Sequence, residues 1–100
     1  MKNIKYIEDS LNYKFNNREL ATHALTHTSC NNYKYNNQFE RLEFLGDRVL
    51  GLVISEILFH KFIEENEGDL AKRLSVLVSA SILLSISKKL KIDKYIQVGP

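Results

Sequence analysis

The spacing of apolar residues predicts a helix at the start of the chain and another soon after it. Ile4, Ile7 and Leu11 recur at intervals of three and four, which places them on one side of a short helix. Asn17 then offers a side chain suited to capping the N-terminus of a second helix. The apolar stripe of that second helix consists of Leu20, Ala21, Ala24 and Leu25. This helix is expected to end near the sequence THTSC, at residues 26–30.

The longest apolar stretch, ERLEFLGDRVLGLVISEILF at residues 40–59, predicts a long helix that is buried on most sides. The polar segment NNYKYNNQ, residues 31–38, precedes it and is expected to be the longest loop. The helix is predicted to continue to Gly68, and Asp69 is predicted to cap the next one. Residues 70–90 are again helical in pattern and are expected to divide near residues 79–81. No long alternation of apolar and polar residues indicates a strand, so the predicted fold is all-α.

Three carboxylates interrupt the apolar pattern of the long helix. At about 100° per residue, Glu40, Glu43 and Asp47 fall within an arc of about 60°. Arg41 and Arg48 lie on a different face, so this acidic stripe has no obvious partner on its own helix. Repulsion between stacked carboxylates favours a bound cation, and the oxygens of Glu43 and Asp47 suit a hard ion such as Mg²⁺. A solvated acidic surface with lysines nearby gives the same spacing, and spacing alone leaves both interpretations open.

Two smaller features of the long helix and its surroundings add to this picture. Gly46 lies between the two carboxylates and would let another helix approach closely. His27 has no neighbouring ligand in sequence, so we expect it to form hydrogen bonds at a helix end rather than bind metal.

The composition is that of one folded domain. The 100 residues are 44% hydrophobic and 26% charged, which argues against disorder, and the net charge of +2 does not identify a partner. Cys30 is the single cysteine and can form neither an internal disulfide nor a cysteine-rich zinc site, which indicates a reducing compartment. No signal peptide and no apolar run of membrane-spanning length is present. The sequence therefore predicts a cytoplasmic protein without a membrane partner.

Three motifs together resemble one known family. The run ERLEFLGDRVL at residues 40–50 is similar to the signature of the ribonuclease III family, endonucleases that cut double-stranded RNA. ALTHTS at residues 24–29 and NEGDLAKRLSVLVS at residues 66–79 resemble two further elements of that family, in the family's order. The resemblance covers essentially the whole chain, and it implies the all-α endonuclease domain of that family for residues 1–100.

The resemblance implies roles for five residues. Glu43 and Asp47 match metal ligands of the catalytic centre, and Glu40 and Glu67 match supporting acidic positions near the dimer cleft. Phe44 matches an aromatic residue that inserts into the partner subunit of family dimers; the alternative is a plain core phenylalanine.

The resemblance also implies the chemistry and the partners. The expected reaction is the hydrolysis of double-stranded RNA during RNA processing, including that of ribosomal RNA, with Mg²⁺ or Mn²⁺, leaving 5′-phosphate and 3′-hydroxyl ends. The expected assembly is a homodimer, and no small-molecule cofactor is expected. Double-stranded RNA is recognised mainly through its shape, its 2′-hydroxyls and its phosphates, so no base-reading motif is required.

Two family elements are missing from these residues. The second acidic motif, of the form D.FEA..GA, has no counterpart before Pro100, and neither has the double-stranded RNA-binding domain. The endonuclease domain is therefore expected to be incomplete at its C-terminus and inactive alone, because two carboxylates bind Mg²⁺ weakly. The alternative function is a catalytically incomplete helical module for dimerisation or RNA binding. A late basic cluster either contacts phosphates or complements the C-terminus of a helix; its members are Lys88, Lys89, Lys91 and Lys94.

Overall fold

The fold is all-α, as the sequence predicted. The computed structural model describes residues 4–30 and 37–99, and within these ranges it contains five α-helices and no strand. The helices are α1 (Ile4–Leu11), α2 (Arg18–Ala24), α3 (Asn37–Lys61), α4 (Glu67–Leu77) and α5 (Ala80–Lys89), followed by a short 3-10 helix at Asp93–Tyr95. Most of the loop predicted at residues 31–38 lies outside the described residues, and its last two residues already belong to α3.

The hydrophobic core lies between α1, α2 and the C-terminal segment. Its buried members are Ile4, Ile7, Ala21 and Leu25, and its partly buried neighbours are Phe15, Ile92 and Tyr95. The predicted apolar stripes are therefore only partly buried, because Leu11, Leu20 and Ala24 are exposed. Both helices are short, and each turns only one narrow side to the core.

Side-chain caps fix three helix starts. The side chain of Asn17 accepts a hydrogen bond from the backbone N–H of Leu20, which confirms the predicted cap of α2. Ser79 caps α5, which confirms the predicted division near residues 79–81. The prediction of Asp69 as a cap is wrong: Asn66 caps α4 and accepts from the backbone N–H of Asp69. The long helix also ends at Lys61 rather than continuing to Gly68.

The prediction that the long helix is buried on most sides is wrong for the described chain. Leu58 is the one buried residue of α3, although Leu52 is 71% exposed and other apolar residues are similarly open. The helix packs mainly against α2 and α4. The exposed apolar residues of α3 include Leu45, Val49, Leu52, Val53 and Ile57.

Backbone contacts tie the end of the chain to the segment after α2. Thr26 and Gln97 form an isolated parallel β-bridge, in which the N–H of His27 donates to the carbonyl oxygen of Gln97 at 2.8 Å. The N–H of Gly99 donates to Ser29 Oγ at 2.7 Å. These bonds return the chain to the core after α3, α4 and α5.

In the two described segments, no single helix has the length and apolarity needed to cross a membrane. The helices α4 and α5 meet that criterion only when taken together, and they are bent by 51° where they join.

Candidate active site

The acidic stripe of α3 faces solvent. Glu40, Glu43 and Asp47 are all exposed, and none forms a salt bridge with another residue of the described segments. Side chains one turn apart on a helix have Cβ atoms about 5–6 Å from each other, so the carboxylates of Glu43 and Asp47 can reach one common point. The expectation that Arg41 and Arg48 do not neutralise the stripe agrees with this arrangement.

Asp47 also lies at the edge of a cleft where three helices meet. The cleft has a volume of about 280 Å³ and is lined by Gly51 of α3, Leu74 of α4 and Leu83 of α5, among others. Asp47 therefore combines a solvent-facing carboxylate with an apolar neighbourhood. The close approach of another helix that was predicted at Gly46 does not occur among the described residues, because an added Cβ there would meet no described atom within 4 Å.

Glu67 is not beside Asp47 within one chain. It is the first residue of α4 and lines a separate cleft with Ser55 and Phe59 of α3. Ser55 lies two helical turns beyond Asp47, which is about 12 Å along the axis at 1.5 Å per residue. The structure thus brings Glu43 and Asp47 to one face of α3. Glu67, on α4, lies instead beside a later part of α3, near Ser55 and Phe59.

The donors that are present fit part of a divalent metal site. Carboxylate oxygens are the ligands that Mg²⁺ and Mn²⁺ prefer, and Glu43 and Asp47 supply two of them. No group of three or more His, Cys, Asp or Glu side chains that could hold a metal ion occurs in residues 4–30 and 37–99. Further ligands would have to come from water, from a phosphate or from another segment.

Phe44 is not a core residue of the described chain. Its side chain is 62% exposed, and the guanidinium carbon of Arg48 lies 4.1 Å from the centre of its ring. An Arg48 N–H also donates to the carbonyl oxygen of Phe44 at 3.4 Å. Arg48 thus covers part of an aromatic ring that otherwise faces solvent, although its position in the sequence did not predict this contact.

A second arginine braces the turn between α3 and α4. Two N–H groups of Arg73 donate to the two carboxylate oxygens of Glu65, each at 2.7 Å, and the guanidinium carbon lies 3.7 Å from the centre of the Phe62 ring. The hydrogen bond from Arg73 lowers the pKa of Glu65, and the same bond raises the pKa of Arg73. The two partners are eight positions apart in sequence, a separation that matches no local spacing rule, so this pair could not be predicted from the sequence.

The segment after α2 holds His27 through hydrogen bonds, in line with the sequence expectation. The backbone N–H of Ser29 donates to His27 Nδ1 at 3.0 Å, and the imidazole ring packs edge-on against Phe39 at 5.1 Å between centroids. At the other end of the chain, Lys88 and Lys89 occupy the last turn of α5, where positive charge complements the helix C-terminus. A contact between these lysines and phosphate stays a prediction.

Comparison with known proteins assigns the chain to a family. A family model described as Ribonuclease-III-like matches residues 17–100. The chain is 49% identical over 96 residues to the "Ribonuclease 3" of Campylobacter jejuni subsp. jejuni, covering 96% of this chain and 42% of that protein. It is 44% identical over 93 residues to the "Ribonuclease 3" of Sinorhizobium fredii, covering 93% of this chain and 38% of that protein.

Solved structures agree with the sequence comparisons. A nuclease domain of ribonuclease III from Campylobacter jejuni superimposes with a TM-score of 0.87 at 46% identity, covering 97% of this chain and 66% of that one. A second structure of a nuclease domain from the same species gives a TM-score of 0.86 at 47% identity, covering 99% of this chain and 65% of that one.

The all-α fold of the chain is that of these solved nuclease domains. The chain belongs to the ribonuclease III family, which confirms the resemblance seen in the sequence. It spans about two fifths of the length of the curated relatives that it matches.

Proposed function

We propose that this chain forms part of an endoribonuclease of the ribonuclease III type, which hydrolyses double-stranded RNA and leaves 5′-phosphate and 3′-hydroxyl ends. One observation carries the proposal. Glu43 and Asp47 lie on the same solvent-facing side of α3, one turn apart and without a cationic partner in the described segments. The proposal is supported by 44–49% identity to proteins called Ribonuclease 3.

In this proposal, Glu43 and Asp47 hold a divalent cation, Mg²⁺ or Mn²⁺, through their carboxylate oxygens. When bound, such an ion lowers the pKa of coordinated water and neutralises charge on the phosphate. Glu40 would add negative charge one turn before Glu43. Glu67 is distant from Asp47 in its own chain, so its supporting role would be exerted on the site of a partner subunit.

The activity is best tested in a chimera, because the chain spans only part of its relatives. These 100 residues would replace the matched segment of the Campylobacter jejuni Ribonuclease 3. We expect the chimera to cleave a long RNA duplex in the presence of Mg²⁺. Glu43→Gln or Asp47→Asn should lower the cleavage rate at least about 100-fold, because each removes a charged ligand while leaving the exposed helix surface intact.

The matched control is Glu56→Gln. Glu56 is another exposed carboxylate of α3, and it lies outside the proposed site. Its substitution should leave the cleavage rate within about twofold, since an exposed charge away from the site contributes little. Full activity of the Glu43 or Asp47 variant in a folded chimera would contradict the ligand assignment.

The proposed assembly is a homodimer in which Phe44 enters the partner subunit. The exposed ring supports this role, since large aromatic side chains are enriched at protein interfaces. One solved Campylobacter jejuni nuclease domain is described as having a region involved in dimer formation. Arg48 would have to leave the Phe44 ring, or move with it, when the ring is buried.

Sedimentation of the 100-residue chain tests the dimer. The wild-type chain should self-associate at micromolar concentration, and Phe44→Ala should weaken association at least about tenfold, as expected for a central aromatic anchor. Tyr13→Ala is the control, because Tyr13 is a similarly exposed aromatic residue in the connection between α1 and α2, away from α3. A wild-type chain that stays monomeric at several hundred micromolar would count against the interface role of Phe44.

A second candidate is a helical dimerisation or RNA-binding module that lacks catalysis. It is favoured by the absence of a three-ligand acidic group in the described parts of the chain. The two candidates differ in the chimera. A module without catalysis would retain a labelled RNA duplex without cutting it even within the chimera, at any concentration of Mg²⁺ or Mn²⁺.

A further inference from the structure

The side chain of Arg48 contacts Phe44 in two ways. The two residues lie one turn apart on α3, and the guanidinium carbon of Arg48 is 4.1 Å from the centre of the Phe44 ring. An N–H of the same guanidinium donates to the carbonyl oxygen of Phe44 at 3.4 Å. The ring is 62% exposed and borders an open cleft of about 500 Å³. A cation therefore covers one part of the Phe44 ring, and most of the remaining ring surface is open.

The charge of Arg48 has no ionic partner. Arg48 is exposed and forms no salt bridge with any other residue of the two described segments. Arg73 makes the corresponding contact with Phe62 at 3.7 Å, but the carboxylate of Glu65 balances its charge. A guanidinium has five N–H donors, and within these segments only the carbonyl oxygen of Phe44 accepts one from Arg48. The other donors of Arg48 therefore depend on water.

Burial of the Phe44 ring against another subunit would disturb this arrangement. If the guanidinium leaves the ring, a cation–π contact is lost, and at an exposed site such a contact is worth a factor of about two to five in an equilibrium constant. If the guanidinium stays, it loses water without a carboxylate from its own chain to replace it, which costs more. Arg48 also orders the ring in the free subunit, but this helps association little, because an aromatic side chain has only two rotatable torsions.

We propose that Arg48 restrains the formation of the homodimer. In the free subunit its guanidinium shields Phe44, and the guanidinium must be displaced or dehydrated before the ring enters a second copy of the chain. This role rests on the proposed homodimer in which Phe44 is the inserted residue. It makes Arg48 a residue that sets the concentration at which the two copies associate, without any contact with RNA or metal.

Sedimentation of the 100-residue chain over a range of concentrations tests the restraint. Arg48→Ala should strengthen self-association at least about threefold, because the variant has neither a contact to break nor a charge to dehydrate. Arg48→Gln, which removes the charge and keeps a long polar side chain, should act in the same direction. The control is Lys5→Ala, which removes one exposed positive charge from α1 and should leave the dissociation constant within about twofold of wild type.

A double-mutant cycle separates action through Phe44 from a general effect of charge. In the background of Phe44→Ala, the further change Arg48→Ala should leave the weakened association unchanged within about twofold. An equal gain from Arg48→Ala in both backgrounds would show that Arg48 acts independently of the ring, and would overturn the proposal. Circular dichroism of each variant checks that the helical fold is kept.

Nuclear magnetic resonance of the dilute, monomeric chain tests the contact itself. The side-chain protons of Arg48 should be shifted by the ring current of Phe44, and the shift should disappear in Phe44→Ala. Arg48 protons that show no such shift would overturn the proposal, since an uncovered ring has nothing to restrain it.

Two outcomes of the sedimentation series also contradict the restraint while leaving the homodimer intact. Association that is unchanged in Arg48→Ala would mean that the guanidinium is displaced at no cost. Weaker association in Arg48→Ala would mean that Arg48 enters the interface and gains a partner there. A different result, in which wild type and all variants stay monomeric at several hundred micromolar, would refute the proposed homodimer and the restraint together.

Discussion

Arg18 and Glu8 form an ion pair of unequal partners. An N–H of Arg18 donates to Glu8 Oε1 at 2.7 Å, and the Glu8 side chain is 2% exposed while that of Arg18 is 60% exposed. The other carboxylate oxygen of Glu8 accepts the backbone N–H of Phe15 at 2.8 Å. A buried carboxylate thus connects α1 to α2 and to the turn between them, beside the hydrophobic core.

This pairing predicts a loss of stability in acid. The hydrogen bond from Phe15, followed by the charge of Arg18, lowers the pKa of Glu8, against the opposing effect of burial. A carboxyl group whose pKa is lower in the folded state stabilises the fold above its unfolded value of about 4.3, and this contribution is lost as the pH falls through the folded value. The urea midpoint of the wild-type chain should therefore fall as the pH is lowered from about 5 to 3.

Glu8→Gln should reduce the fall of the urea midpoint at low pH, because glutamine does not titrate. The variant should also be less stable than wild type at pH 7, since its amide cannot replace the charge that faces Arg18. Asp9→Asn serves as the control, because Asp9 is the exposed neighbour of Glu8 on α1. If the urea midpoint falls as steeply at low pH in the Glu8 variant as in wild type, Glu8 is not the source of the acid sensitivity.

Leu58 is expected to contribute most to the attachment of α4 to α3. It is the buried residue of α3 and lies between the two clefts that flank α4. Leu58→Ala should lower the free energy of unfolding by about 2–5 kcal/mol, the usual range for a buried leucine. Leu52→Ala removes the same atoms from a side chain that is 71% exposed and should change stability by no more than about 0.5 kcal/mol. Equal losses in the two variants, measured by urea denaturation, would contradict this packing.

Two glycines should respond to alanine in opposite directions. A Cβ at Gly99 would overlap the carbonyl oxygen of Ser29. Gly99→Ala should therefore push the end of the chain away from the segment after α2 and destabilise the chain by about 1–3 kcal/mol. A Cβ at Gly46 meets no described atom, and alanine suits a helix interior better, so Gly46→Ala should stabilise by about 0.5–1 kcal/mol. Thermal unfolding of both variants checks that the two changes have opposite signs. A Gly99 variant as stable as wild type would mean that the contact between Gly99 and Ser29 contributes little to stability.

Arg73 should prove irreplaceable by lysine. Lysine keeps the positive charge but loses both the two-point hydrogen bond to Glu65 and the flat contact with Phe62. Arg73→Lys should therefore lower the urea midpoint nearly as much as Arg73→Ala. A double-mutant cycle with Glu65→Gln measures the coupling, and a coupling energy of zero would show that the two side chains act independently.

The sequence predicted those parts of the fold that depend on neighbouring residues. Asn17 was recognisable as a cap because it precedes an apolar periodic segment, and the division near residues 79–81 was predicted although its cap, Ser79, was not. Asn66 and Asp69 are both suitable caps, and the sequence could not tell which of them adopts the extended conformation that a cap requires. The common face of Glu43 and Asp47 followed from helix geometry alone.

The remaining features depend on packing between distant residues. The apolar character of Leu52 indicates what this side chain can contact, but not whether the chain supplies a contact. The distance from Glu67 to Asp47 depends on how α4 lies on α3, which no periodicity encodes. The same holds for Arg73 and Glu65, whose meeting depends on the path of the intervening turn.

The hydrogen bond between Gly99 and Ser29 closes a loop whose ends are seventy residues apart in sequence. Helices α3, α4 and α5 therefore lie within one long segment whose two ends meet beside the hydrophobic core. The entropy of closing such a loop grows only with the logarithm of its length, by about 0.6 kcal/mol per doubling. Evolution or engineering can therefore lengthen this segment at a small additional entropic cost, provided that the contacts between Ser29 and Gly99 stay intact.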